Sequence, residues 1–430
     1  MRRFARKLHR YAGLTLAVFL VIVGLTGSAL AFYEEIDAWL NPDLMHVPPG
    51  RTALPASELV SRIEAWDDRI RVTNVTLPGD SGHAARAYVQ PKAPALAADL
   101  DYAAELGFDQ VWADPASGEV LGTRDRGACC FGRAELMPFI YRLHYTLHAP
   151  GRIGVWFLGG ISLLWAFDCL IGFYLTLPRR RPFWSRWKKS WVVKTDAGGE
   201  RANYDTHRAS GLWLWGVLFL LAVSGVYFNL SREVFRPVVE VFSKPKPYPF
   251  ETREVLARED WGRDLIGFDR AIDLASVEAS RRGWPAGLSR VGVVPSQAYY
   301  IVYFEPFEGI RSGLGSPILY VDGHDGALIG DSVPLEGSAA DVIYRLQFPI
   351  HSGQILGLPG RIIVFLAGIV TAVLSVTGVV IWALGVRRRA RQRERNGQRG
   401  EPAGGSLPGR RLVASGTSLL APPGEPSGGP

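Results

Sequence analysis

Four stretches of this chain are almost purely apolar, and each is long enough to cross a bilayer: Tyr11–Phe32, Ile153–Leu177, Gly211–Leu230 and Ile362–Leu384. Crossing takes roughly 20 residues at about 1.5 Å rise each. Asp168 is the one acidic or basic side chain inside any of them. A wholly soluble fold and a single-pass anchor are thereby excluded. So is a β-barrel, whose strands are about half as long and alternate in polarity. The pattern predicts a mixed membrane protein with a four-helix transmembrane bundle and long polar connections.

Lys and Arg number 48 against 41 Asp and Glu, a formal net charge of +7. The distribution of this charge argues for membrane topology rather than nucleic-acid binding. Arg2, Arg3, Arg6, Lys7 and Arg10 precede the first span; Arg179–Arg181, Arg186, Lys188, Lys189 and Lys194 follow the second; Arg387–Arg389, Arg391, Arg393 and Arg395 follow the fourth. Basic clusters at alternate ends of successive spans place those ends in the cytoplasm. The N-terminus, the 178–206 loop and the C-terminus are expected inside, and the connections 33–138 and 231–345 outside. The first span reads as a retained helix, since its apolar run is longer than a signal-peptide core and no A-x-A site cleanly follows it. Adjacent Cys129 and Cys130 read as a vicinal disulfide or two inert thiols.

The chain also repeats itself. His9-Arg10-Tyr11-Ala12-Gly13-Leu14 matches His207-Arg208-Ala209-Ser210-Gly211-Leu212 at an offset of 198, and Thr26-Gly27 falls on Ser224-Gly225 at the same offset. Ile140-Tyr141-Arg142-Leu143 recurs as Ile343-Tyr344-Arg345-Leu346 at an offset of 203, which aligns His148 with His351 and His144 with Gln347. The unit is span, outer domain, span. Two crossings per unit keep both copies in one orientation, a parallel tandem repeat about an axis along the membrane normal. Each outer segment is expected to be a small α+β domain. The first has a helix at Ala56–Trp66, strands at Arg71–Leu77, Arg86–Gln90 and Phe108–Ala113, and an Asp114–Gly118 turn leading to Glu119–Gly122. The second has a helix at Ala271–Arg281, strands at Val291–Val294, Tyr299–Phe304 and Ile318–Val321, and an Asp322–Gly326 turn. The expected partition is 1–33 for the N-terminus and first span, 34–138 outer domain, 139–178 second span, 179–206 basic loop, 207–230 third span, 231–345 outer domain, 346–386 fourth span, and 387–430 a disordered basic tail.

Five of the eight histidines sit at span ends. His9 and His207 open the first and third spans at the inner face; His144, His148 and His351 stand at the outer face. A lone boundary histidine is usually an interfacial polar residue. A pair per face, related by a repeat, is what two axial ligands of one haem iron require, because two facing helices can each supply one neutral imidazole. The expected pairs are His9 with His207 and His148 with His351. His144 is an alternative outer ligand or a substrate-side residue. Arg10, Arg208, Arg152 and Arg361 lie at the same boundaries and can pair either with haem propionates or with lipid headgroups. Zinc could use the i, i+4 spacing of His144 and His148, but a closed zinc site wants four ligands and the inner face offers two histidines. Asp168, as an intramembrane acid, is a candidate for proton handling or for a bond to a neighbouring helix.

Several stretches resemble the PepSY-associated transmembrane family of bacterial inner-membrane proteins, which includes iron-regulated proteins and ferric-siderophore reductases. They are Leu143-His144-Tyr145-Thr146-Leu147-His148 with Gly151-Arg152, the run Asp168–Pro178, and His351-Ser352-Gly353 with Gly357-Leu358-Pro359-Gly360-Arg361. The two Asp-x-x-x-Gly turns resemble PepSY domains. The resemblance spans about residues 1–390. It implies a four-span bundle with two extracytoplasmic PepSY-like domains and, in reductase members, two b-type haems that carry electrons outward to a ferric chelate such as a siderophore. It further implies a functional link to TonB-dependent iron-uptake components. No G-x-G-x-x-G follows a strand, so the electron donor is expected to be a quinol or a separate protein. Two other function classes stand beside the reductase: a non-enzymatic PepSY module that binds or restrains an outer partner, and a metal or solute transporter using the boundary histidines.

Overall fold

A computed structural model describes residues 1–78, 81–92, 105–130 and 132–400. Residues 1–382 form one compact unit, in which an apolar helical bundle carries a β-sheet layer at one end. The principal helices are α1 (Arg2–Leu30), α2 (Ala56–Trp66), α3 (Arg133–Thr146), α4 (Ile153–Thr176), α5 (Gly199–Trp213), α6 (Trp215–Asn229), α7 (Phe268–Arg281), α8 (Ala339–Ser352) and α9 (Gly357–Gly400).

Three helices, α1, α4 and α9, are long and apolar enough to cross a membrane. The third expected span is not a straight helix. α5 and α6 meet at Leu214 with a bend of 68°, so the pair makes a fourth crossing only if counted together. No proline causes the break. Leu214 leaves helical geometry between two tryptophans whose indoles are held in different places: Trp213 donates to the Trp191 carbonyl of the basic loop, and Trp215 donates to the Cys169 carbonyl of α4. A second difference lies at the far end. Residues 387–400, expected within a disordered tail, continue α9 as helix. The rest of that expected tail, 401–430, lies outside the described residues.

Small residues set the helix spacing, as they do where lipid tails supply no drive to associate. A Cβ on Gly24 of α1 would lie 2.6 Å from the Gly368 carbonyl oxygen of α9. Ser28 donates across the same contact to the Phe365 carbonyl at 2.7 Å. Leu16 and Leu20 of α1 interlock with Leu158 and Ile161 of α4.

The two outer segments do not form separate domains. Their strands, β1 (Ile70–Thr76), β2 (Ala85–Pro91), β3 (Gln110–Ala113), β4 (Val120–Arg124), β5 (Leu288–Val294), β6 (Tyr299–Phe304), β7 (Ile318–Asp322) and β8 (Leu328–Ser332), make one antiparallel sheet in the order β4-β3-β2-β1-β5-β6-β7-β8. The order is symmetrical about the β1–β5 seam, where Asn74, Val75 and Thr76 face Gly292, Val291 and Arg290. Joining the first strand of each segment removes two unpaired edges, which would otherwise template association. α2 and α7 lie on one face of this sheet. They share a core in which Leu59, Ile63, Val75, Ala271, Ala275, Val291 and Phe304 are buried. Ser57 and Asp269 bond each other's helix start, through Ser57 N–H to Asp269 Oδ1 and Asp269 N–H to Ser57 Oγ.

Candidate functional site

The chain brings four of the five boundary histidines together as two facing pairs. At the end of the bundle away from the sheet, His9 of α1 and His207 of α5 have ring centroids 6.2 Å apart. At the sheet end, His144 of α3 and His351 of α8 are 6.1 Å apart. Gly27, whose Cβ position lies 3.0 Å from the His144 ring, is on the same helix as His9. Residues 9 and 27 are about 27 Å apart along α1, close to the roughly 30 Å thickness of a hydrocarbon layer.

The outer pair is not the one the internal alignment predicts. His144 faces His351, and His148 does not. α3 ends at Thr146, and Leu147 and His148 both take left-handed backbone angles (φ 52° and 55°). That turn swings His148 back onto α3, where its ring stacks on Phe139 at 4.2 Å and its Nε2 contacts the Phe139 carbonyl at 2.9 Å. In the second half the helix runs one turn further before its own left-handed cap at Gly353. His351 therefore reaches the level of His144, while Gln347, the residue aligned with His144, bonds back to the Ile343 carbonyl.

Each paired ring is held at Nδ1. His9 meets Asp168 Oδ1 at 2.9 Å; His207 meets the Leu374 carbonyl and Thr377 Oγ1, both at 3.0 Å; His144 meets Thr26 Oγ1 at 3.0 Å; and His351 meets Ser224 Oγ at 2.7 Å. Among the described residues none bonds Nε2 of these four rings. Metal-binding histidines commonly show this arrangement, with one nitrogen anchored and the other free to ligate. The two pairs have nearly the same ring spacing, 6.2 and 6.1 Å, so each could offer one imidazole from either side to a shared group. Glycines lie against three of the rings: Gly27 by His144, Gly172 by His9 at 3.4 Å and Gly378 by His207 at 3.2 Å, measured from the Cβ position. Larger residues there would displace the imidazoles. Among the described residues no cluster of three or more His, Cys, Asp or Glu is placed to hold a bare metal ion.

The four arginines fall into two groups. Arg152 binds Glu233 at 2.9 Å, and Arg361 binds Glu35 at 2.6 Å and the Ala31 carbonyl at 2.8 Å. Both are committed to protein partners. Arg208 binds Asp205 at 2.7 Å but leaves its buried Nε without a partner. Arg10, beside His9, also has a buried, unpartnered Nε, and its guanidinium lies over Tyr11. Asp168 is buried and aimed at His9. Cys129 and Cys130 are joined as a disulfide. Sequence reasoning did not single out Thr377 or Gly378, although Thr377-Gly378 repeats the Thr26-Gly27 dipeptide, and it quoted Gly172 only within the Asp168–Pro178 run. Thr26 and Ser224 were visible only as repeat-related positions.

An apolar bundle that carries an antiparallel sheet, with three helices long and apolar enough to cross a membrane and a fourth crossing if the bent pair is one span, defines a membrane protein. The chain belongs to the PepSY-associated TM region family, whose pattern matches residues 6–384. No curated protein matches it.

Proposed function

We propose that this protein is a two-haem electron carrier of the bacterial inner membrane that reduces a ferric chelate, such as an iron-bound siderophore, at its outer face. The observation that supports this most directly is the pair of facing histidine couples, one at each end of the bundle, with all four Nδ1 atoms engaged and no hydrogen bond to any of the four Nε2 atoms among the described residues. In this reading the two halves are copies of one two-span unit, and the bent α5–α6 pair is the third of four crossings. His9 with His207 holds the inner haem, and His144 with His351 holds the outer one. When bound, each b-type haem supplies one-electron redox chemistry, which no side chain here provides.

The remaining work falls to the chain. Thr26, Ser224, Thr377 and Asp168 fix the imidazole tautomers, so that Nε2 is the ligating atom. Gly27, Gly172 and Gly378 let the rings sit against the helix backbones. The unpartnered Nε groups of Arg10 and Arg208 are the donors left for inner propionates, a charge-assisted pairing. Arg152 and Arg361 hold protein carboxylates and are not assigned this role. The basic clusters favour a cytoplasmic His9–His207 end and an outer sheet, and in that orientation electrons enter from a quinol or a separate donor and leave toward the sheet. A quinol yields two electrons and two protons, enough to convert two ferric ions to ferrous.

The test is the visible spectrum of the purified full-length protein with and without dithionite, with a pyridine haemochrome assay for the haem-to-chain ratio. The expected result is a b-type reduced spectrum and about two haems per chain. A colourless preparation from haem-replete cells refutes the proposal, and a ratio of one refutes the two-site form of it.

A further inference from the structure

The four histidine anchors are chemically unequal. His144 and His351 bond to the hydroxyls of Thr26 and Ser224, and His207 bonds to a hydroxyl and a carbonyl. His9 alone bonds to a carboxylate, Asp168 Oδ1, at 2.9 Å, with the Asp168 side chain 9% exposed. Among the described residues Asp168 bonds no other side chain, so the acid is dedicated to this ring. We infer that Asp168 is a positioning residue that makes the inner site the lower-potential one and so sets the direction of electron flow from the His9–His207 end toward the sheet. The inference rests on the haem-carrier reading above.

The reasoning is electrostatic. Ligation through Nε2 leaves Nδ1 as an N–H, and an N–H facing a carboxylate pushes electron density through the ring onto Nε2. A more basic ligand stabilises the oxidised, more positive iron over the reduced one, and second-shell partners tune a bound metal in this way. A buried negative charge near the site acts in the same sense, because it is weakly screened there. Hydroxyl and carbonyl partners do much less, since hydrogen bonds to charged groups are roughly twice as strong as neutral ones. The sheet-side pair has only neutral partners, the Thr26 and Ser224 hydroxyls and the Val23 backbone beside His144, and therefore holds an electron more tightly. An electron given up by the donor at the His9–His207 end would move downhill to the sheet-side pair and from there to ferric iron, the donor being oxidised by one electron for each ferric ion reduced.

The experiment is a potentiometric titration of the purified full-length protein, followed by visible absorption. Wild-type protein should titrate in two one-electron waves, and the wave lost in His207→Ala should be the lower-potential one. Asp168→Asn should raise that wave by about tenfold in electron affinity, which is about 59 mV for a one-electron couple, and leave the other in place. Asp168→Glu should bring it back toward wild type. If His207→Ala removes the higher wave, or if Asp168→Asn binds both haems and moves neither wave, the inference is overturned while the haem reading survives. If Asp168→Asn fails to assemble, the order of the two wild-type waves decides the matter alone. A protein that binds no haem overturns the underlying reading instead.

Discussion

Asp37 and Arg124 form an ion pair with both side chains at 0% exposure, and breaking it gives the sharpest test of how the sheet is fixed to the bundle. Asp37 lies on the short helix Tyr33–Leu40 that extends the first span, and Arg124 ends β4, the edge strand of the sheet. Two parallel N–H···O bonds of 2.8 and 2.9 Å join them, and the guanidinium lies over the buried Trp112 ring at 4.6 Å. Asn41 donates to Asp37 Oδ1 at 2.8 Å and to the Arg133 carbonyl at 3.1 Å, which ties the pair to the start of the helix that carries His144. Asp37→Ala leaves a guanidinium buried without a counter-charge. Removing one partner of such a pair costs about 3–5 kcal/mol, whereas replacing both with apolar residues of similar size is often close to neutral. A chain of this size has an unfolding entropy of roughly 0.8 kcal/mol per degree, so a loss of about 4 kcal/mol lowers Tm by about 5 °C. The assay is thermal unfolding of detergent-purified protein, comparing wild type, Asp37→Ala, Arg124→Met and the double variant. The double variant should recover most of the loss. A single variant within one degree of wild type, or a double variant no better than Asp37→Ala, refutes the view that the penalty is an uncompensated charge.

Three further outcomes are expected. Under the two-haem proposal, His144→Ala should remove the outer haem signal and His148→Ala should retain it, because His148 is already held by Phe139; retention in the first and loss in the second, read in reduced-minus-oxidised spectra, reverses the assignment. Gly27→Val brings a Cβ to 3.0 Å from the His144 ring before its methyl groups are counted, and should abolish the outer signal while the inner one persists. For the head, Asp114 and Asp322 sit below the usual carboxylate range: burial pushes the other way, but backbone N–H groups of the turns and the guanidinium of Arg51 or Arg253 outweigh it. A depressed folded pKa gives stability that is present above the unfolded value near pH 4 and is lost as pH falls through the folded one. Hydrogen exchange at β3, β4, β7 and β8 should therefore be flat from pH 7 to about 5 and accelerate, after correction for intrinsic rates, only below about 4. Acceleration already near pH 6 contradicts this.

The sequence by itself determined the parts whose signal is periodic or local. The apolar runs mark the helices long and apolar enough to cross a bilayer, three of them straight and the third run bent at Leu214. The helix Ala56–Trp66 and the strand Tyr299–Phe304 were readable to the residue, since each alternates or repeats its apolar side chains over its whole length. The polar strand Leu328–Ser332 was missed for the same reason: its sequence carries almost no alternation, and only its pairing with β7 makes it a strand. The pairing of His9 with His207 follows from motif offset alone, because both stand at equivalent starts of apolar helices. The outer pair does not. Its register depends on where two helices terminate, and the left-handed turn at Leu147-His148 breaks the alignment with no glycine or proline at those two positions to announce it. The bend at Leu214 and the fusion of two outer segments into one sheet are likewise tertiary. The first comes from indoles bonding to distant carbonyls. The second comes from two strand edges, far apart in sequence, that are each unsatisfied until they meet.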